Sequence, residues 1–256
     1  MKFRSFCTYC PIIFSALVIS GCNSDETVRP EIEWVKIPAG SFLMGSPDDE
    51  GGRSEDETQH KVAVEAFSMS KYEITFEQFD KFCEATKREK PTDESWGRGN
   101  LPVINVSWED ANAFAEWMNC RLPTEAEWEY ACRAGTSTAF STGTCIGTAE
   151  ANINASDSYN ECPIGNCVER TKPVGSYGPN PFDLYDMHGN VWEWCNDWYG
   201  QYKTDRSSID EGETSRMKVF RGGGWFFKTK FCRSAARYSR ETGFRSRNVG
   251  FRLVKS

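Results

Sequence analysis

The residues of this chain best suited to chemistry are its eleven cysteines. Eight of them follow residue 32, namely Cys83, Cys120, Cys132, Cys145, Cys162, Cys167, Cys195 and Cys232. No two of these eight form a Cys-x-x-Cys pair, and the chain has only two histidines, so the spacing does not predict a zinc site. The first residues of the chain resemble an export signal, as described below. An even number of cysteines in an exported chain indicates disulfides instead. Cys162 and Cys167 are near enough in sequence to close a local loop.

The two histidines are His60 and His188. His60 lies in an alternating stretch that predicts a strand, and His188 precedes a glycine turn, so we predict a structural role for both. The sequence has no His-x-x-x-His motif, which argues against a non-haem iron centre. A Ser-His-Asp arrangement stays open, because a catalytic triad is assembled in space and not along the sequence.

The first residues have the pattern of an export signal. Lys2 and Arg4 precede the apolar run 11–20, which is too short to span a bilayer comfortably. Ile19-Ser20-Gly21-Cys22 resembles a bacterial lipobox, which predicts cleavage before Cys22 and lipidation of Cys22. The alternative is an ordinary signal peptide that happens to contain a cysteine.

This pattern divides the chain into a lipoprotein signal peptide (1–21), a polar tether (22–32) and one domain (33–256). Asn23 after the lipidated cysteine resembles sorting to the outer membrane. We therefore expect a protein that is lipid-anchored through Cys22 at the bacterial cell envelope, facing the periplasm. Its net charge of −7 gives no electrostatic footprint for nucleic acid.

The elements that must position any site follow from local patterns. Residues 33–45 predict two strands broken at Pro38-Ala39-Gly40, and residues 60–68 predict another strand. Further short strands are predicted near 189–194, 217–220 and 249–254. Helix starts are predicted after Thr75, Ser107 and Thr124, and the long polar stretch 135–178 predicts loop.

Three motifs indicate a family: GNVWEW at 189–194, RGGGW at 221–225 and NVGFR at 248–252. With the segments between Trp34 and Val254 they resemble the sulfatase-modifying-factor family, whose founding member is the formylglycine-generating enzyme. The resemblance implies an α+β domain with a modified C-type lectin-like fold, which has few helices, a small twisted antiparallel sheet and much irregular loop.

The resemblance also implies structural calcium. One site would use Asp186, Glu193 and the carbonyls of Gly189 and Val191, which are oxygen ligands of the kind that calcium prefers. A second site would use the side chains of Asn152 and Asn166 with the carbonyls of Ile153 and Val168. Asn166 stands where a carboxylate is expected, so this site has one negative charge fewer.

The copper chemistry of the founding enzyme needs two cysteines five positions apart, because soft thiolates hold Cu(I). Counted from Arg221, the first cysteine position holds Phe227 and the position of an expected serine holds Gly224. Cys232 falls at the second cysteine position. We expect no copper, assign no catalytic residue beyond Cys232 as a weak candidate, and interpret Cys232 as a structural or disulfide cysteine.

These positions favour an exported lipoprotein that acts as a binding or accessory module, or as a divergent enzyme, with a protein or peptide partner at the cell envelope. One alternative is a formylglycine-generating oxidoreductase, and another is a periplasmic maturation enzyme for a peptide or siderophore precursor. Arg221, Arg237 and Arg252 line a pocket or form buried ion pairs, and we predict ion pairs.

Overall fold

The computed structural model describes Met1 and residues 29–157, 159–202 and 216–256. Apart from Met1, the predicted signal peptide lies outside these residues, and so do Cys22 and the first part of the tether, residues 22–28. Within the described part of the chain, none of the helices is both long and apolar enough to cross a bilayer.

Three α-helices begin at capping boxes, as predicted. They are α1 (Phe76–Thr86), α2 (Trp108–Trp117) and α3 (Glu125–Arg133). The residue before each helix, its N-cap, is a Ser or Thr whose side chain accepts a hydrogen bond from the backbone N–H of the third helical residue. The side chain of that third residue in turn accepts a hydrogen bond from the backbone N–H of the N-cap residue. This exchange satisfies donors that a helix start otherwise leaves free, which fixes where each helix begins.

The first two sheets are small and antiparallel. One has β1 (Trp34–Ile37), β4 (Phe67–Ser70) and β9 (Val254–Lys255) in the order β1-β4-β9. The other pairs β2 (Gly40–Met44) with β3 (His60–Val64). The prediction of one strand over 60–68 is wrong, because the chain breaks at Glu65-Ala66 and passes from the second sheet to the first.

A third sheet carries the glycine-rich motifs. Its order is β7 (Arg237–Glu241), β6 (Met217–Arg221), β5 (Trp192–Trp198) and β8 (Val249–Gly250). The pairing of β5 with β8 is parallel and the others are antiparallel. The sequence pattern did not predict β7, whose residues are mostly polar. The stretch 135–178 contains no helix or strand among its described residues, as predicted.

Aromatic side chains fill the largest core cluster, between α1, α2 and the third sheet. The Phe79 and Phe114 rings stack with their centroids 5.5 Å apart, and the Phe251 ring meets both edge-on. Trp192 and Trp194 are fully buried on β5, where both rings contact Phe220 of β6. Such rings bury much apolar area, which helps to stabilise a domain with so little regular structure.

Buried arginines join helix α3 to the third sheet, which confirms the predicted ion pairs. Arg221 is fully buried and contacts the carboxylates of Glu125 and Glu129. Arg237 donates to both oxygens of Glu125, at 2.7 and 2.9 Å. Arg252 is equally buried and paired, as described below. A guanidinium suits such positions because it stays charged and offers a fixed fork of donors.

Candidate functional site

The turn after β6 sets the geometry at the predicted copper positions. Gly222 and Gly223 have φ angles of 98° and 77°, a region that L side chains seldom adopt. A Cβ at Gly222 would press on the Trp128 ring, and one at Gly223 would press on Cys232. The turn closes where the Gly224 carbonyl accepts the N–H of Phe227 at 2.8 Å.

Phe227 fills the first predicted copper position with a hydrocarbon ring. Its ring packs edge-on against Trp192 and Phe231, with centroids 5.3 and 6.0 Å away. Its carbonyl accepts the N–H of Asn154 at 3.0 Å, which fixes the backbone as well. Phe227 is therefore part of the packing and offers no ligand.

Cys232, the second copper position, has no solvent-exposed surface. Its Sγ lies 3.9 and 4.0 Å from the carbonyls of Lys228 and Phe227. Burial raises the pKa of the Cys232 thiol to about 12, so the thiol is neutral at physiological pH. A cysteine binds copper or acts as a nucleophile as the thiolate and not as the neutral thiol. The buried, neutral thiol of Cys232 therefore favours a structural role.

The cysteines form one disulfide among the described residues, and it joins Cys145 to Cys162. The prediction of a Cys162–Cys167 bridge is wrong. The Cys167 thiol lies 3.2 Å from the Trp225 carbonyl, which holds it beside the glycine-rich turn. Sequence proximity favoured the shorter loop, but the fold brings the more distant Cys145 to Cys162.

Glu193, the central residue of the first predicted calcium site, has both carboxylate oxygens occupied. Oε1 accepts from Arg252 Nη2 at 2.7 Å, and Oε2 accepts from Arg252 Nε at 2.6 Å and from Trp128 Nε1 at 2.7 Å. All three residues are fully buried. A carboxylate held by three donors is the partner of Arg252 and does not fit as a calcium ligand.

Asp186, the other carboxylate of that site, lies near Glu193 but has a different partner. Its Oδ2 accepts the N–H of Gly175 at 2.7 Å. Burial, opposed by this bond and by Arg252, raises the pKa of Asp186 to about 6. Burial and the nearby carboxylates raise the pKa of Glu73 as well. No cluster of three acidic, histidine or cysteine side chains in the described residues is arranged to hold a metal ion.

Asn152 of the second predicted site fits a cation better. It is buried, and its Oδ1 has no hydrogen-bond partner among the described residues. Its Nδ2 donates to the carbonyl of Arg170 and to Asn190 Oδ1, so the free oxygen is fixed in orientation. Asn166 and Val168 are exposed on the strand-free segment that leads to Arg170. An unpaired buried oxygen is what a hard cation would satisfy.

His188 has partners that the sequence pattern did not reveal. Its Nδ1 lies 2.8 Å from the Cys232 carbonyl, and its Nε2 lies 3.0 Å from both the backbone N and the Oγ of Ser141. Cys132 Sγ lies 3.7 Å from Nε2. Burial lowers the pKa of His188 to about 4, so the ring is neutral at physiological pH. Ser141 and His188 are 47 residues apart, mostly in irregular loop, so no motif spacing in the sequence could have predicted their contact.

The described geometry defines an α+β protein with a glycine-rich turn and buried ion pairs. The model of the sulfatase-modifying factor enzyme 1-like domain matches residues 21–256. The chain therefore belongs to this family.

Two curated relatives show the breadth of the family. The formylglycine-generating enzyme of Streptomyces coelicolor is 31% identical, over 86% of this chain and 88% of that protein. The serine/threonine-protein kinase pkn1 of Chlamydia caviae is 32% identical, over 90% of this chain. The match covers only 39% of that kinase, so the chain spans well under half of that relative's length.

Among solved structures, PvdO from Pseudomonas aeruginosa is similar to this chain. It is 33% identical, with a TM-score of 0.75 over 87% of this chain and 94% of that one. The predicted fold class is thus confirmed.

Proposed function

We propose that this protein is an exported lipoprotein of the family that lacks formylglycine-generating activity and acts as a binding or accessory module at the cell envelope. One observation carries the proposal. Phe227 fills the first copper position with a packed ring, and Cys232, at the second position, is fully buried. A neutral, buried thiol with a phenylalanine at the partner position does not form the two-thiolate site that Cu(I) needs.

A partner surface lies beside the same turn. Ile164 and Phe226 are exposed at 67% and 55% of their surface, and Val168 at 39%. The contact of Cys167 with the Trp225 carbonyl brings their two segments together. Exposed apolar side chains on adjacent segments favour binding of another macromolecule, and we propose a protein or peptide partner.

Copper loading and peptide oxidation test the loss of activity. The purified mature protein, supplied with Cu(I) and a peptide containing Cys-x-Pro-x-Arg, should bind no stoichiometric copper and form no aldehyde by mass spectrometry. The Streptomyces coelicolor relative serves as the positive control. The variant Phe227→Cys should also fail, because it supplies one thiol while Cys232 stays buried. Stoichiometric copper with turnover in the unmodified protein would overturn the proposal.

Photo-crosslinking in cells tests the proposed partner surface around Ile164 and Phe226. A photoreactive residue at position 164 or 226 should give a defined crosslinked product in envelope fractions. The same residue at Leu43, an exposed apolar position on β2, is the matched control. Equal crosslinking from all three positions would contradict a partner site beside the turn.

A further inference from the structure

A groove lies beside the segment that leads into β1, and hydrogen bonds hold its walls in place. It is lined by residues 30–33, by the loop between β4 and α1 and by the first turns of α1, with Asn100 and Val174. The Gln78 side chain donates to the carbonyl of Glu31 at 3.0 Å, and the N–H of Val174 donates to the carbonyl of Asn100 at 3.0 Å. The volume of the groove is about 410 Å³, which is within the range of small-molecule sites.

The lining of this groove is acidic. Its charged side chains are four carboxyl groups and one ammonium group, those of Glu31, Glu33, Glu73, Glu77 and Lys81. Glu31 and Glu33 are exposed, and the ammonium of Lys81 lies 3.5 Å from the carboxylate of Glu77, so it offsets one of the four. A surface that carries charge of one sign attracts ligands of the opposite sign. The groove therefore favours a cationic ligand.

Glu73 gives the groove a buried acceptor that lacks a partner. Its side chain lines the groove yet is only 1% exposed, and its Oε2 accepts from Asn190 Nδ2 at 2.8 Å. Its Oε1 has no hydrogen-bond partner among the described residues. An unpaired buried oxygen costs free energy, so a donor that reaches it from outside the chain is stabilised. This oxygen is a second observation, independent of the acidic lining, and it calls for a ligand with N–H donors.

The buried charges around Glu73 are also unbalanced. Asp186 and Glu193 repel the charged form of Glu73, and the guanidinium of Arg252, which already pairs with Glu193, opposes them. Three carboxyl groups thus share one guanidinium. An ammonium group at Glu73 would reduce this imbalance, and its charge would favour the ionised carboxylate that binds it.

We propose that this groove binds the ammonium group of an unbranched alkylamine, with Glu73 Oε1 as its buried acceptor. Asn190 already occupies the other oxygen of Glu73, so this carboxylate does not offer a guanidinium the two oxygens that its fork of donors prefers. An ammonium is a compact charge for which one such oxygen is enough. The half-buried ring of Tyr72 also lines the groove, and an aromatic face attracts a cation. The amine comes from a free diamine or from a lysine side chain of a peptide.

Isothermal titration calorimetry of the purified mature protein tests the groove and separates the two sources. Cadaverine represents a free diamine, Nα-acetyl-lysine amide represents a peptide side chain, and Nα-acetyl-norleucine amide is the uncharged control. At low ionic strength at least one of the two amines should bind, with one ligand per chain, and the tighter of them identifies the source. Nα-acetyl-arginine amide should bind more weakly than the lysine derivative. Magnesium chloride at matched ionic strength controls for general screening.

Glu73→Gln tests the buried acceptor. The glutamine keeps an oxygen for Asn190 and places an NH₂ group where the free oxygen was, so affinity for the amine should fall about 10-fold or more, which is what one hydrogen bond to a charged group contributes. Glu109→Gln, at an exposed position on α2 outside the groove, should leave the affinity unchanged. If Glu73→Gln does not fold, Glu31→Gln/Glu33→Gln replaces it and should also weaken binding, because it removes two of the four carboxylates.

Four results would overturn the amine site: no binding of either amine to the folded wild type, equal binding of the norleucine derivative, equal binding of the arginine derivative, or unchanged affinity in the folded variant. None of the residues lining the groove belongs to the partner surface around Ile164 and Phe226, and none of these measurements involves copper. The amine site and the proposed function therefore fail separately.

Discussion

Gly223 packs so closely against Cys232 that the glycine position has no room for a Cβ. A Cβ added to Gly223 would fall 3.0 Å from both Cα and Cβ of Cys232 and closer still to its Sγ. Gly223 also has a φ of 77°, which L side chains seldom adopt. The glycine motif that indicates the family and the cysteine near its copper position therefore form one packing unit.

Gly223→Ala should destabilise the protein strongly. The left-handed backbone costs about 1–2 kcal/mol for a residue with a Cβ, and overpacking adds about 1–3 kcal/mol. Chemical denaturation should show a loss of roughly 2–5 kcal/mol. Gly243→Ala is the control, because a Cβ there meets nothing within 4 Å. Equal stability of the two variants would contradict the close packing.

Removing one partner of the Glu193–Arg252 pair should be more harmful than removing both. Glu193→Gln leaves the fully buried guanidinium without its counter-charge, which typically costs about 3–5 kcal/mol. The double variant Glu193→Gln/Arg252→Met removes both charges and should recover part of that loss. Thermal and urea denaturation of the wild type, the two single variants Glu193→Gln and Arg252→Met, and the double variant measure the coupling. Additive losses would show that the two side chains act independently.

Local patterns were sufficient for the helices and for the roles of the arginines. Each capping box is a short-range exchange of hydrogen bonds, so Thr75, Ser107 and Thr124 mark helix starts without reference to the rest of the fold. Arg221 and Arg252 were expected in ion pairs because a guanidinium inside a loop-rich domain needs a carboxylate.

Contacts that depend on how loops are placed could not be predicted. The Cys145–Cys162 bridge and the Ser141–His188 contact both involve the strand-free region 135–178, where no periodicity constrains position. Glu193 shows a related difficulty. Its sequence position matches a calcium ligand, but whether its carboxylate faces a cation or Arg252 is decided by side-chain packing.

Cys232 should be the slower of two thiols to react in the folded protein. Its thiol is buried with a pKa raised to about 12, whereas Cys167 is half-buried. Because the thiolate is the reacting species, alkylation of Cys232 should be about 1000-fold or more slower than that of an ordinary thiol. Peptide mapping after iodoacetamide treatment measures both sites. Denatured protein is the control, in which both should react alike, and rapid native labelling of Cys232 would contradict its burial.

Asp186 should make the protein less stable as the pH rises. Burial raises the pKa of its carboxyl to about 6 in the folded chain, above the usual 3.8, so folding favours the protonated form. Its contribution is fully present below pH 3.8 and is lost as the pH rises through about 6.

Asp186→Asn removes this titration but keeps an oxygen for the Gly175 N–H. In chelator, the variant should be more stable than the wild type at pH 8, by up to about 3 kcal/mol for a shift of about two pH units. The difference should decline towards pH 4. Asp49→Asn, an exposed control, should show no such trend. A pH-independent difference for Asp186→Asn would refute the raised pKa.

Calcium should stabilise the protein through Asn152 and not through Glu193. The buried Oδ1 of Asn152 has no partner among the described residues, whereas both oxygens of Glu193 are engaged by Arg252 and Trp128. Millimolar calcium should therefore raise the melting temperature of the wild type and should have no effect on Asn152→Ala. Glu193→Gln should melt at a lower temperature yet keep the calcium-dependent increase.

A gain of affinity gives the stricter test of the same site. Asn166 is exposed and stands where the family resemblance implies a carboxylate, so Asn166→Asp adds one negative charge without disturbing a packed core. Calcium affinity rises with ligand charge, so the variant should reach half of its thermal stabilisation at a lower calcium concentration than the wild type. Magnesium should substitute poorly, because it demands a tighter octahedral shell. If neither the wild type nor Asn166→Asp responds to calcium, the unpaired oxygen of Asn152 is satisfied by water and the predicted site does not exist.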